Sequence, residues 1–133
     1  MTSNFKDVAR TAENALGDAF IPRGENLFSV TRGDDVISFA AITGEPAMVI
    51  IRMRIAETEG VTRREALALA ALAGNFFWSG TGGATLSLGE DGALWLTERR
   101  EAAELANAEG FAGCVASLHE TATAWRERSA LYE

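Results

Sequence analysis

The sequence is poor in the residues that usually announce chemistry. Its 133 residues include one cysteine, Cys114, and one histidine, His119. A single cysteine excludes an intramolecular disulfide, and one Cys with one His makes no zinc site. The two are five residues apart on a predicted helix, so they point to different faces and Cys/His catalysis is not expected. The only lysine is Lys6. No lysine therefore follows the glycine-rich stretch Ser79-Gly80-Thr81-Gly82-Gly83, and the Walker pattern is missing. The dinucleotide fingerprint fails as well, because Thr85 stands where its third glycine belongs and the local order is helix, turn, strand. No apolar run reaches transmembrane length. The opening stretch MTSNFKDVAR has no signal-peptide apolar region, so a cytoplasmic protein is expected. Basic charge is scarce: the formal net charge is −7. That balance argues against nucleic-acid binding and suits a soluble protein whose partner is basic or aggregation-prone.

What is present is an ordinary apolar fraction on a chain long enough to bury one core, so residues 1–133 are read as a single domain. The carboxylates are many but scattered. Asp34-Asp35 and Glu90-Asp91 fall in predicted turns, and Glu98-Arg99-Arg100-Glu101 reads as a solvated mixed-charge run. No catalytic constellation emerges. The expectation is a non-enzymatic protein with no cofactor and no metal.

Hydrophobic periodicity gives the elements. Phe5, Val8, Ala12 and Leu16 recur at helical spacing, with Ser3 or Asn4 as N-cap, Asp7 in the first turn and Gly17 as the stop. Ile21-Pro22-Arg23-Gly24 breaks any helix. Three strands follow at 25–31, 36–42 and 47–55, joined by short turns that imply an antiparallel meander. Phe28 and Val30 share a face, as do Ile37 and Phe39. In the third strand Val49, Ile51, Met53 and Ile55 face one way, while Met48, Ile50, Arg52 and Arg54 face the other. A second helix precedes the glycine-rich turn, capped by a Thr62/Glu65 box. A hairpin then spans residues 84–88 and 93–99. A last helix covers about 101–131, with Gly110 and Gly113 predicting a kink or a loose first turn. The order is α-β-β-β-α-β-β-α, an α+β sandwich with helices packed on an antiparallel sheet.

The second helix organises the rest. Residues 66–73 contain no polar side chain, so this helix has no face to offer water. One side can lie on its own sheet. The other needs a second helix of the chain or a second copy of the protein, and the small alanines favour the close approach of a second copy. Trp95, Trp78, Phe77, Met48 and Ile50 add more apolar area than one small sandwich can cover, which marks interaction surfaces.

These features together carry a resemblance. The apolar helix 66–73, then Asn75-Phe76-Phe77, then Gly80-Thr81-Gly82-Gly83-Ala84-Thr85-Leu86, a hairpin through Leu94 and Leu96, the Glu98-Arg99-Arg100 junction and a long last helix holding Trp125 resemble class I type III secretion chaperones, the Tir-chaperone (CesT-like) family. The resemblance implies a type III secretion chaperone-like fold. It also implies a dimeric cytosolic chaperone that binds the N-terminal segment of a secreted effector without ATP and keeps it secretion-competent. It places the homodimer interface at Leu67, Leu69, Ala70, Leu72, Ala73 and Phe76, with Thr85 and Leu86 nearby. It places cargo along Phe5, Val8, Leu16, Phe28, Val30, Ile37, Phe39, Met48 and Ile50, some of which must serve as ordinary core. Strand addition at a sheet edge would add to such binding. The alternative is a dimeric regulatory or adaptor domain of the same fold outside secretion. A third reading is a small ligand-binding domain or enzyme using the Gly80–Gly83 turn.

Overall fold

The computed structural model describes residues 4–58, 64–78, 80–89 and 91–133. Helix α1 spans Phe5–Leu16. Asn4 caps it, accepting from the Asp7 N–H, while the Asp7 carboxylate accepts from the Asn4 N–H. This reciprocal pair satisfies two donors that a helix start leaves open. Gly17 ends the helix at φ 52°, a left-handed value that glycine adopts without a side-chain clash. Ser3, the other candidate cap, lies outside the described residues, as does Thr62 of the expected box on the second helix.

A six-stranded antiparallel sheet follows: β1 (Phe20–Pro22), β2 (Leu27–Arg32), β3 (Asp35–Ile42), β4 (Met48–Glu57), β5 (Thr85–Leu88) and β6 (Ala93–Glu101). Their order in the sheet is β1-β2-β3-β4-β6-β5. Strand β1 adds a strand to the expected order, because the segment that breaks the helix at Pro22 is extended enough to pair with β2. The proline sits on an edge strand, where a missing N–H is tolerated.

Helix α2 covers Arg64–Asn75 and runs into a 3₁₀ turn at Phe76–Trp78. The expected single last helix is divided into α3 (Ala102–Leu105) and α4 (Ala108–Ala130). The break falls at Asn107, which takes extended dihedrals and accepts the Gly110 N–H as N-cap. Gly110 is required by packing rather than by looseness: a Cβ there would lie 2.0 Å from the Glu104 carbonyl oxygen.

The core lies between one face of the sheet and helices α1 and α4. Val8, Ala12, Phe28, Val30, Ile37, Phe39, Ile51, Leu96, Phe111 and Leu118 are all buried there. Phe28 stacks on Phe39 at 4.9 Å between ring centroids, and Phe39 meets Phe111 at 5.1 Å. Among the described residues, no helix covers the other face. Across it the ladders align Ser29, Ser38, Arg52, Thr97 and Thr85 in one row, and Leu27, Ala40, Ile50 and Arg99 in the next.

Candidate docking surfaces

Helix α2 has two apolar stripes, both at helical spacing. Leu67, Ala71 and Gly74 are buried against the body. Leu69, Leu72 and Phe76 point outward, at 67%, 67% and 69% exposure. Ala73 is also exposed, and Ala70 is half-buried. The helix can come this close because Gly74 has no side chain. A Cβ at Gly74 would stand 2.5 Å from the Trp125 ring. The glycines that follow serve the same approach. A Cβ at Gly80 would lie 3.1 Å from the Gly74 Cα, and Gly82 and Gly83 hold positive φ values of 64° and 107°. These glycines are used in packing and in a tight turn.

Of the expected dimer residues, the structure thus brings Leu69, Leu72, Ala73 and Phe76 onto one open face. Thr85 is exposed on the neighbouring edge strand, whereas Leu67 and Leu86 lie beneath the helix in the protomer's own core. Of the expected cargo residues, Phe5, Val8, Phe28, Val30, Ile37 and Phe39 are interior side chains, at most 9% exposed. Phe5 and Val8 face inward from α1, and alternation on β2 and β3 points Phe28, Val30, Ile37 and Phe39 into the same face, which α1 and α4 cover. Leu16, Met48 and Ile50 are half-buried and remain accessible.

The helix-free sheet face is basic at its centre. Arg52, Arg54 and Arg99 are exposed there. Arg54 is held by Glu57 and Asp91. Among the described residues, Arg52 and Arg99 have no ion-pair partner. A shallow depression of ≈ 390 Å³ lies here, bordered by Arg52, Ser87, Gly89, Asp91, Trp95 and Thr97. Trp95 is fixed on this face by its Nε1–H donating to Asp91 Oδ1 at 3.2 Å. Asp91 also accepts the Ala93 N–H, and these bonds hold its carboxyl below the ordinary carboxylate range.

The two sheet edges differ from an open template. Antiparallel pairing alternates inward and outward backbone groups. On β5 the Gly89 N–H bonds the Ala93 carbonyl, so the backbone groups of Leu86 and Leu88 face outward. Those of Leu86 are taken by Asn75: the carboxamide oxygen accepts the Leu86 N–H at 2.8 Å, and the nitrogen donates to the Leu86 carbonyl at 2.9 Å. On β1 the outward residues are Phe20 and Pro22. The Phe20 N–H is bonded to Gly17, and Pro22 has none.

One polar cluster was not legible in the sequence. Asp35 is the buried first residue of β3 rather than a turn former. It accepts from His119 Nδ1 at 2.9 Å and from Arg126. Arg126 also donates through Nε to the Ile55 carbonyl at 2.7 Å. Burial opposes ionisation of Asp35, but the bonds from Arg126 and His119 outweigh it and hold its carboxyl below its ordinary value of 3.8. The contact between His119 and Asp35 spans 84 positions, so no local spacing could have signalled it. It ties α4 to β3 and β4 and involves no nucleophile. Cys114 is distant from any such role: burial pushes its thiol up to about 12. Glu98 and Arg100 also depart from the solvated-run reading. They lie on the covered side of β6 and bond to each other at 2.8 Å, with the Glu98 side chain only 9% exposed.

Among the described residues, no helix is long and apolar enough to cross a membrane. Nor, among the described residues, is any group of His, Cys, Asp and Glu placed to hold a metal ion.

Comparison with solved structures reproduces this architecture. A chain of the ExsC–ExsE complex superposes with a TM-score of 0.73 at 16% identity, covering 92% of each chain. A chain of the HopA1–SchA chaperone–effector complex gives 0.60 at 13% identity, covering 90% of this chain and 95% of that one. A chain of the Yersinia pestis type III secretion chaperone SycH in complex with a stable fragment of YscM2 gives 0.64 at 20% identity, covering 90% and 97%. The fold is that of type III secretion chaperones. No curated protein matches by sequence. The model of the Tir chaperone protein (CesT) family matches residues 16–126, from the end of α1 through most of α4, and the chain belongs to that family.

Proposed function

We propose that this protein is a dimeric cytoplasmic chaperone that binds the N-terminal segment of a type III secreted effector and keeps it secretion-competent without ATP. Membership of the CesT family carries this reading. Similar folds in a chaperone–effector complex support it. The apolar outer stripe of α2 supports the dimer, since Leu69, Leu72 and Phe76 are too large and too exposed to be left in water at no cost. ATP independence fits a glycine turn whose residues pack against α2 and which carries no lysine.

The cargo site is placed on the helix-free sheet face. Met48 and Ile50 supply apolar contact there, next to Arg52 and Arg99, whose charges suit carboxylates of an extended segment. Leu16 stands apart from this contact, half-buried against the core at the end of α1 on the covered side of the sheet. The other expected cargo residues contribute indirectly, as the core that holds this face rigid. The test is co-expression with the N-terminal segment of the protein encoded beside this one. Co-purification at two chaperone chains per cargo chain is expected, and Met48→Asp should weaken it while leaving the dimer intact. A clean dimer that retains no cargo would instead favour an adaptor role for the same fold.

A further inference from the structure

The helix-free sheet face has an order of charges along its two longest strands, β4 and β6. On this face β6 presents Trp95, Thr97, Arg99 and Glu101 in turn, and β4 sets Arg54, Arg52, Ile50 and Met48 opposite them. One end is neutralised within the chain. The Asp91 carboxylate accepts from Arg54 Nε at 3.2 Å, from Trp95 Nε1 at 3.2 Å and from the Ala93 N–H at 3.0 Å, and Arg54 is also bound by Glu57. The Trp95 ring is fixed there, since a Cβ at Gly89 would stand 2.6 Å from its Nε1. The other end carries the exposed Glu101 beside half-buried Met48. Between these ends Arg52 and Arg99 are exposed and have no ion-pair partner among the described residues. They stay unpaired in a chain with 19 acidic side chains against 12 lysines and arginines. Arg52 lies opposite Thr97 and Ile50 opposite Arg99. The two arginines are therefore diagonal neighbours, about 7–8 Å apart at Cα. Side chains on one side of an extended segment recur every ~6.5–7 Å, twice the rise per residue. Two carboxylates separated by one residue match that spacing.

We infer that this face selects an extended segment of the pattern aromatic-x-acidic-x-acidic. The aromatic side chain lies in the ≈ 390 Å³ depression at Trp95, and the two carboxylates meet Arg52 and Arg99. This rests on the reading of the face as the cargo site and names the chemistry that the site selects. Charge complementarity identifies the occupant. Each unpaired guanidinium offers a carboxylate several donors, and the indole offers an aromatic ring a surface to stack on. The flanks set the limits of the pattern. A carboxylate placed one step beyond either arginine would face Asp91 and Glu57 at one end or Glu101 at the other, and like charges repel. The same flanks disfavour single-stranded nucleic acid, whose phosphates continue past both arginines without a break.

The experiment measures binding of fluorescein-labelled peptides to the full chain by fluorescence anisotropy at low ionic strength. The probes carry Phe-Thr-Glu-Thr-Glu, Phe-Thr-Gln-Thr-Gln or Phe-Thr-Thr-Glu-Glu between Gly-Ser flanks, beside an oligothymidylate of similar length. The first peptide should bind about tenfold more tightly than the glutamine peptide, and the preference should shrink at high salt. It should also bind more tightly than the peptide with adjacent glutamates. The double variant Arg52→Glu/Arg99→Glu should lose the preference for glutamate. Equal binding of the glutamate and glutamine peptides to wild type overturns the inference without recourse to any variant. Equal binding of the two glutamate peptides overturns the spacing argument and the inference with it. Tighter binding of the oligothymidylate overturns it in favour of nucleic acid. Cargo co-expressed with wild type and with the double variant separates this inference from the reading beneath it. Cargo retained equally by both overturns the inference and leaves the chaperone reading standing. Selection of the patterned peptide with no cargo retained supports the face and overturns the chaperone reading.

Discussion

Helices α1 and α2 are the same length and both carry apolar stripes at helical spacing, yet they end in opposite situations. The stripe of α1 is used up inside the protomer: Phe5, Val8 and Ala12 are all buried. Its remaining surface is polar, with Lys6, Arg10, Glu13 and Asn14 exposed. Helix α2 buries Leu67, Ala71 and Gly74 in the same way. Its opposite side then presents Leu69, Leu72 and Phe76, where α1 has charge. One helix is apolar only toward its own chain, and the other is apolar on both sides. The difference lies in the composition of the outward positions.

That contrast breaks most sharply under a buried charge. Val8→Asp places an unpaired carboxylate at a fully buried site, at a cost on the order of 4 kcal/mol. Loss of cooperative thermal unfolding is the expected result. The chemically similar Leu69→Asp stands in water on the outer stripe of α2. It should keep the far-UV circular dichroism of the folded chain and change only its association. Retained folding in the first, or lost folding in the second, would collapse the comparison.

The inner side of α2 responds to volume rather than charge. Gly74→Ala drives a methyl into the Trp125 ring and should destabilise by about 1–3 kcal/mol, read as a lower urea midpoint. An alanine on the outer stripe, as at Ala73, already sits there without strain.

Asp35 sharpens the other half of the account, the attachment of α4. Its folded-state pKa lies below its ordinary value of 3.8. The unfolded chain therefore binds a proton more readily. The stability contributed by this carboxylate is fully present above about pH 4 and is lost as pH falls through the lower folded value. Asp35→Asn should cost about 1–2 kcal/mol at neutral pH. It should also flatten the acid limb of the stability profile below pH 3.8. An unchanged limb would remove Asp35 from the linkage. The smallest effect concerns Cys114. With its thiol at about 12, alkylation of the native chain near pH 8 should be negligible and should become complete in urea. Prompt native labelling would show that α4 is looser than the structure has it.

Much of this was readable in advance, and the reason differs by region. The faces of β4 follow from strict alternation, so Arg52 and Arg54 opposite Val49, Ile51 and Met53 needed no structure. The apolar outer side of α2 followed from the absence of polar residues between Glu65 and Asn75. The separation of core from groove on β2 and β3 did not. Phe28, Val30, Ile37 and Phe39 have the same pattern whether a helix or a partner covers them, and only the placement of α1 and α4 shows that helices lie over them. The Asn75–Leu86 clamp and the Asp35–His119–Arg126 cluster were equally hidden, because each joins residues brought together by tertiary packing. Strand β1 was missed because its three residues are too short to show alternation.

The most direct measurement is the mass of the wild-type chain in solution, by sedimentation equilibrium, beside that of Leu69→Asp. The account predicts twice the 14.2 kDa of one chain for wild type and a single chain for the variant. A wild type of single-chain mass would mean that the outer stripe of α2 stands uncovered in the free protein and would contradict the account.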